Sequence, residues 1–322
     1  MRAALLMNPA LVPFVFGDVE RSRLEKILEI DTTQAVTSIA DVPARSDVEL
    51  LITGWGVTSI AREGLDGFPS LRAIVHWGGG VGFLDAEATA RGIRVSSARA
   101  ANAIPVAEFT VAMITLAAKD AFWASRRYCA EQRFIDREAE FPRTGLYRST
   151  IGIVGASTIG SLVMERLAEA DVDILLFDPY ATVETADRVG AELVADLCEL
   201  AARSDVLSIH APETPATIRM ISAEVLAALP DGATVVNTAR GALIDQPALV
   251  GHLQRGRLRA ILDVTDPDVL EPGHPLYTLP NVFLTPHLAG SMGSELRRLG
   301  EAALAEIERF VAGRPFAHPM QP

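Results

Sequence analysis

The sequence predicts an α/β protein built as two doubly wound parallel-sheet units. Three observations predict it. Short β-branched or apolar runs alternate with helix-like stretches through most of the chain. The runs of the second half are nearly continuous in apolar residues, as strands buried on both faces of a parallel sheet should be. And 322 residues exceed the usual length of one domain, which suggests two.

Taken in order, RAALLM, ELLITGW, LRAIVHW and IRVSSA read as strands of a first unit. The opening MRAALLMNPALVPF has one early Arg and an apolar run that Pro9 and Pro13 interrupt. With no clean small-residue cleavage site, it reads as a strand and loop, not a signal peptide. Residues 102–120 carry a helical apolar pattern almost free of charge and predict a buried linking helix. Residues 121–149 mix aromatic and charged residues with no strand pattern. They form either a partner-contact arm or a long surface loop. The arm is favoured, because Phe122, Trp123, Tyr128 and Phe134 are costly to leave in water. TIGIVG, DILLFD, DVLSIHAP, ATVVNTA, RAILDV and NVFLTPH read as strands of a second unit, with helices over 158–170, 222–229 and 245–255 between them. The tail, 294–315, reads as an amphipathic helix ended by Gly313 and Pro315.

Composition narrows the function. The chain is 49% hydrophobic and 22% charged, as globular proteins are. A net charge of −12 argues against nucleic acid or an anionic membrane as partner, since both need a basic surface. An anionic substrate would have to be captured by local Arg and backbone N–H groups. Cys129 and Cys198 give neither a disulfide framework nor metal spacing, which suggests a reducing cytoplasm. No apolar run approaches the ~20 residues that span a bilayer.

The chemistry begins at TIGIVGASTIGSLVMERL, a strand, tight turn and helix start. A dinucleotide fingerprint needs a first Gly for the turn, a second for close approach of the pyrophosphate, and a third for packing. Gly155 and Gly160 fit the first and third positions; Ser157 stands at the second. Alone, the loop reads equally as a plain strand-turn-helix. Asp178 ends the next strand about 20 residues on, where an acid would bond the adenosine ribose hydroxyls, and it could instead be a turn or cap residue. Together the two favour a cofactor loop, with the N–H groups of Thr158 and Ile159 as donors. An acid at 178 repels a 2′-phosphate, and Pro179-Tyr180 offer no Arg to receive one. That favours NAD over NADP.

Further on, VVNTARG puts Arg240 at a strand's carboxyl end, as a carboxylate fork or a strand-end salt bridge. LDVTDPD places Asp263, Asp266 and Asp268 beyond another strand; metal binding is the alternative, but no His or Cys joins them at ligand spacing. NVFLTPHLAGS places His287 after a strand. His274 and His318 look like loop residues, His252 lies on a helix, and His210 follows a strand where it could face a cofactor. With a carboxylate and an Arg on neighbouring strand ends, His287 becomes a credible acid/base.

The run of Gly loop, Asp178, SDVLSIHAPETP, NTARGALID, LDVTDPD and NVFLTPHLAGS resembles the D-isomer-specific 2-hydroxyacid dehydrogenase family. The likeness is dense from about 150 to 291 and weaker upstream, through LRAIVHWGGGVGFLD and VAEFTVAMITLA. It implies two Rossmann-like domains with the active site in the cleft between them. A flavodoxin-like substrate domain would take 1–100 plus 289–322, and an NAD domain 101–288, with 121–149 a dimerisation arm of a homodimer. It implies His287 as acid/base, Arg240 as substrate anchor and Asp268 as the carboxylate paired with His287. Gly78, Gly79 and Gly80, with Trp77 before them, would hold the substrate. Asp263 would lie near the nicotinamide amide, Thr238 and Ala239 along its ring, His210 and Pro212 on the adenosine side, and Gly290 on the cofactor side. The family usually has Glu where Asp268 stands; Asp is a methylene shorter, so its contact with His287 could lengthen or pass through water, and Asp266 is a substitute partner.

The implied activity is hydride transfer between NAD(H) and a small anionic 2-hydroxy or 2-oxo acid, without a metal. Two other readings stand beside it. One is a dinucleotide-sensing protein that has kept the fold and dropped catalysis; retention of Arg240, His287 and a carboxylate, and the absence of a basic extension, argue against it. The other is a formate- or phosphite-type dehydrogenase, whose formate case is disfavoured by a carboxylate rather than an amide near His287.

Overall fold

The computed structural model describes residues 1–320. The chain divides into two compact units. One is Met1–Ala103 together with the segment from Ser291 onward, and the other is Ile104–Gly290.

The first unit holds a sheet of β1 (Ala3–Leu6), β2 (Ala35–Val36), β3 (Leu50–Thr53), β4 (Ala73–His76) and β5 (Arg94–Ser97), in the order 5-4-3-1-2 and all parallel. A short antiparallel strand, Pro319–Met320, joins at β5. Side chains alternate across the sheet. Leu5, Leu50, Ile52, Ala73 and Val75 face one apolar core, while Leu6, Leu51, Ile74 and Val95 face another. Both faces are covered, so the strands are apolar throughout. The first core is closed by the helix Leu296–Val311, whose Leu296, Leu299, Ala303, Leu304, Ile307 and Phe310 recur at helical spacing. Gly300 lets that helix approach closely: a Cβ there would lie 2.0 Å from the Val15 carbonyl oxygen.

The second unit holds seven parallel strands: β6 (Thr150–Val154), β7 (Asp173–Phe177), β8 (Ala191–Leu193), β9 (Val206–Ile209), β10 (Thr234–Asn237), β11 (Arg259–Leu262) and β12 (Val282–Leu284). Their order, 12-11-10-9-6-7-8, winds outward from β6 in both directions, the Rossmann pattern with its switch point between β6 and β9. Cores lie on both faces of this sheet too.

Two expectations change here. The helix Arg99–Ala118 has 20 residues and a mean hydropathy of 1.5, long and apolar enough by composition to cross a bilayer. Its Ala107, Met113, Ile114 and Ala117 pack with Ile151, Ile153, Val236 and Ile261 in a core, which accounts for an apolar helix without a membrane. The stretch 121–149 is not a plain loop. It opens with the helix Ala121–Glu131, in which Trp123 is buried and Phe122 stacks on Phe283 at 4.1 Å. Those two rings are sheltered by their own unit; Tyr128 and Phe134 stay exposed.

Candidate active site

In the second unit, register aligns Phe177, Val154, Ile209, Asn237, Leu262 and Leu284 in one row across neighbouring strands. The residues one step on therefore line the carboxyl edge of the sheet in the order Asp178, Gly155, His210, Thr238, Asp263, Thr285. Loops at this edge, at a switch point, are where open α/β sheets bind ligands.

The Gly loop closes tightly. Gly155 has φ +101°, and a Cβ on it would lie 2.7 Å from the Ala211 nitrogen. A Cβ on Gly160 would lie 2.1 Å from the Gly155 carbonyl oxygen. Ser157 caps the helix Thr158–Leu167, its Oγ accepting the Gly160 N–H at 3.2 Å. Among the described residues, the N–H groups of Thr158 and Ile159 have no acceptor. They stand at a helix start, where backbone donors and the helix dipole favour an anion. A pyrophosphate fits such a cradle. Asp178, half-buried, accepts the Ala156 N–H at 2.7 Å and the Tyr180 N–H at 2.8 Å. It thus braces the same loop.

His210 does not face outward. It is buried beneath the Gly loop, sharing a 2.9 Å hydrogen bond with Ser208 through Nε2, while Nδ1 has no partner. Burial pushes its pKa down to about 3. Pro212 beyond it is exposed.

After β10, Asn237 holds the next loop from both sides: its amide donates to the Arg240 carbonyl and accepts the Ala239 N–H. Thr238 is buried and hydrogen-bonded to Thr110 at 2.8 Å. Arg240 is exposed, and among the described residues no carboxylate pairs with it, so the strand-end salt bridge is not formed.

After β11, Asp263 is buried, 2% exposed. Its carboxylate accepts the Thr285 hydroxyl at 2.6 Å and the N–H groups of Leu288 at 2.8 Å and Ala289 at 2.9 Å. Its backbone carbonyl takes the His287 N–H at 2.9 Å. Asp263 therefore organises the loop on which His287 stands, exposed, at φ +55°. Half-buried Gly290 ends that loop.

The expected carboxylate–histidine pair is not made. Asp266 and Asp268 are both exposed, and neither is hydrogen-bonded or ion-paired to His287. Their loop turns inward instead, Thr265 Oγ1 donating to the Pro267 and Asp268 carbonyls. Among the described residues no cluster of His, Cys, Asp and Glu is placed to hold a metal.

In the first unit, register aligns Leu6, Thr53, His76 and Ser97. Gly78, Gly79 and Gly80 follow β4, and their N–H groups find no acceptor among the described residues. Trp77 does not open onto them. It is fully buried, its indole N–H donating to Met7 Sδ at 3.2 Å, in space that Gly54 leaves free. The exposed ring is Trp55, which sequence reasoning passed over. Trp55 packs edge-on against Trp77, centroids 4.9 Å apart, and its Nε1 would lie 2.8 Å from a Cβ on Gly78.

The sequence model of the D-isomer specific 2-hydroxyacid dehydrogenase NAD-binding domain matches residues 111–289. A D-3-phosphoglycerate dehydrogenase of Methanocaldococcus jannaschii is 33% identical over 90% of this chain, which spans 55% of that relative's length. A glyoxylate reductase of Thermofilum pendens is 34% identical, covering 79% of this chain and 76% of its own. Among solved structures, D-mandelate dehydrogenase of Rhodotorula graminis is similar at 25% identity and a TM-score of 0.83, covering 100% of this chain and 97% of that one.

Proposed function

Because this chain belongs to the D-isomer-specific 2-hydroxyacid dehydrogenase family, we propose that it interconverts a small 2-oxo acid and its 2-hydroxy acid with NAD(H). One observation carries the reading: strand register puts the Gly loop, Asp178, the Arg240 loop and the His287 loop along a single carboxyl edge. When bound, the nicotinamide supplies or takes the hydride. The residues do the rest. Thr158 and Ile159 offer N–H groups to the pyrophosphate, and Asp178 faces the ribose, where its charge disfavours a 2′-phosphate. Arg240, whose guanidinium donates to the Ala239 carbonyl at 2.7 Å and pairs with no carboxylate among the described residues, grips the substrate carboxylate and steadies negative charge growing on the carbonyl oxygen. Gly78, Gly79 and Gly80 offer backbone N–H groups to an anion at the first unit's own edge. His287 gives a proton to the carbonyl oxygen and takes it back in the reverse direction. The exposed Tyr128 and Phe134 support a role for the 121–149 segment in pairing two copies of the chain.

The test is NADH oxidation over glyoxylate, hydroxypyruvate, pyruvate and bulkier 2-oxo acids. Turnover of at least one is expected. His287→Ala should lower it by roughly 10²–10⁴-fold, the usual worth of a positioned acid/base, with NADH affinity near normal. Full turnover in that variant would remove His287 from its role. The unmade pair between His287 and Asp268 favours a second reading, a dinucleotide-binding protein without catalysis. It predicts NADH binding and no turnover of any acid.

A further inference from the structure

The helix Arg99–Ala118 buries Ala107, Thr110, Ile114 and Ala117 along one face, three or four residues apart. Three of them are apolar and Thr110 is not. It is fully buried, in the part of the helix that belongs to the second unit. Valine has the same shape and no hydroxyl to satisfy, so packing alone does not call for threonine there.

Thr110 Oγ1 lies 2.7 Å from the Val106 carbonyl oxygen and 2.8 Å from Thr238 Oγ1. A carbonyl has no proton to give, so Thr110 donates to Val106 and accepts from Thr238. The first bond is an ordinary turn-back within a helix. Thr115 makes the same bond to the Val111 carbonyl at 2.9 Å and is only half-buried. The second bond sets Thr110 apart. It joins the helix to a residue 128 positions on in the chain, at the carboxyl edge of the second sheet.

Thr238 opens the turn that carries Arg240. Asn237 braces that turn from within, through the Ala239 N–H and the Arg240 carbonyl. At its far end Gly241 sits against the next loop, where a Cβ would lie 2.1 Å from the Thr265 carbonyl oxygen. Among the described residues, the bond from Thr238 to Thr110 is the side-chain hydrogen bond that ties residues 238–240 to a distant part of the chain. With its proton spent on Thr110, the Thr238 oxygen offers the edge lone pairs alone, and these do not compete with Arg240 for an anion.

Resting on the reading of Arg240 as substrate anchor, we propose that Thr110 is a positioning residue for that anchor. Through Thr238 it fixes the turn, and so the reach of the guanidinium toward the substrate carboxylate.

The test compares Thr110→Val, Thr110→Ser and Thr238→Val with the wild type, by NADH oxidation over the 2-oxo acid that turns over best. Thr110→Val keeps the side-chain shape and removes the acceptor. The kcat/KM for the acid should fall by about tenfold, the scale of one buried hydrogen bond left unmade. Most of the loss should appear in KM for the acid, as removal of a binding contact does, with NADH affinity near normal. Thr110→Ser restores the acceptor and should recover most of the loss. Thr238→Val removes the other half of the bond, so it should show a similar loss, and the Thr110→Val/Thr238→Val double variant should add little to either. Losses that add in full would mean that Thr110 acts by packing and not through Thr238, and would overturn the inference. So would an unchanged KM in a folded Thr110→Val, or, if that variant does not fold, an unchanged KM in Thr238→Val. These outcomes leave the reductase reading intact; a wild type that turns over no acid overturns both.

Discussion

Ser157 occupies the place where a dinucleotide loop usually has its second glycine, and its hydroxyl is already engaged with the Gly160 N–H. Capping, rather than ligand binding, explains the residue. Ser157→Gly should therefore cost only a few tenths of a kcal/mol in stability and Ser157→Ala about 1 kcal/mol, with NADH affinity nearly unchanged in both; thermal melts and NADH titration measure this. A large loss of affinity would make the hydroxyl a ligand. Gly160 is the opposite case. A Cβ 2.1 Å from the Gly155 carbonyl forces strand and helix apart, so Gly160→Ala should destabilise by about 1–3 kcal/mol and weaken NADH binding, read by the same two measurements. At this scale residue types were legible in the sequence and orientations were not. Trp77 looked like a substrate contact because it precedes the glycines. Whether it opens outward depends on Gly54, just past the end of the neighbouring strand β3, leaving room for its indole. His210 looked like a cofactor contact because it follows a strand, and it lies buried under the loop.

Elements show a different division. Every strand read from an apolar run is present. Those not read, β2, β8 and Pro319–Met320, have two or three residues each and lie next to or at a sheet edge. Too short for a periodicity, they are recruited by pairing with a strand already in place. Loops were less legible than strands, and the His287 loop most of all. The sequence offers Asp266 and Asp268 as partners for His287, but the carboxylate that governs the loop is Asp263, through Thr285, Leu288 and Ala289. Only the parallel pairing of β11 with β12 brings that acid under the loop. An amide at 263 would keep one acceptor oxygen and turn an NH₂ toward donors. Asp263→Asn is expected to cost about 1–3 kcal/mol, the usual consequence of leaving buried polar groups unpaired. With the loop loosened, kcat should fall while the melting curve shifts down. An unchanged melting temperature would show that the three hydrogen bonds do not hold the loop.

Across the whole molecule, each unit carries one buried histidine among the described residues that folding keeps neutral, His76 in the first and His210 in the second. Both are stripped of water by burial, which lowers their pKa to about 4 and about 3. In the unfolded chain an imidazole takes its proton near pH 6.5. Between about pH 6.5 and pH 4 the unfolded state thus binds protons that the folded state refuses, and stability must fall as pH drops through that window. Carboxylates pull the same way only at lower pH: Glu192, held below its ordinary range chiefly by its hydrogen bond to Arg203, loses its contribution as pH falls through the carboxylate range. At pH 5 the His76 contribution to this loss is about 2 kcal/mol. Two units need not unfold together, so a single unfolding free energy is less secure than the melting temperature of each transition. Melting temperatures should fall from pH 7 to pH 5, before the carboxylates titrate. His76→Gln offers an amide that can still bond Thr53 and cannot titrate, so in that variant the fall should shrink for the first unit's transition and persist for the second. An equal fall with and without His76 would mean that its imidazole is protonated at pH 5 in the folded state, against the burial that the structure gives it.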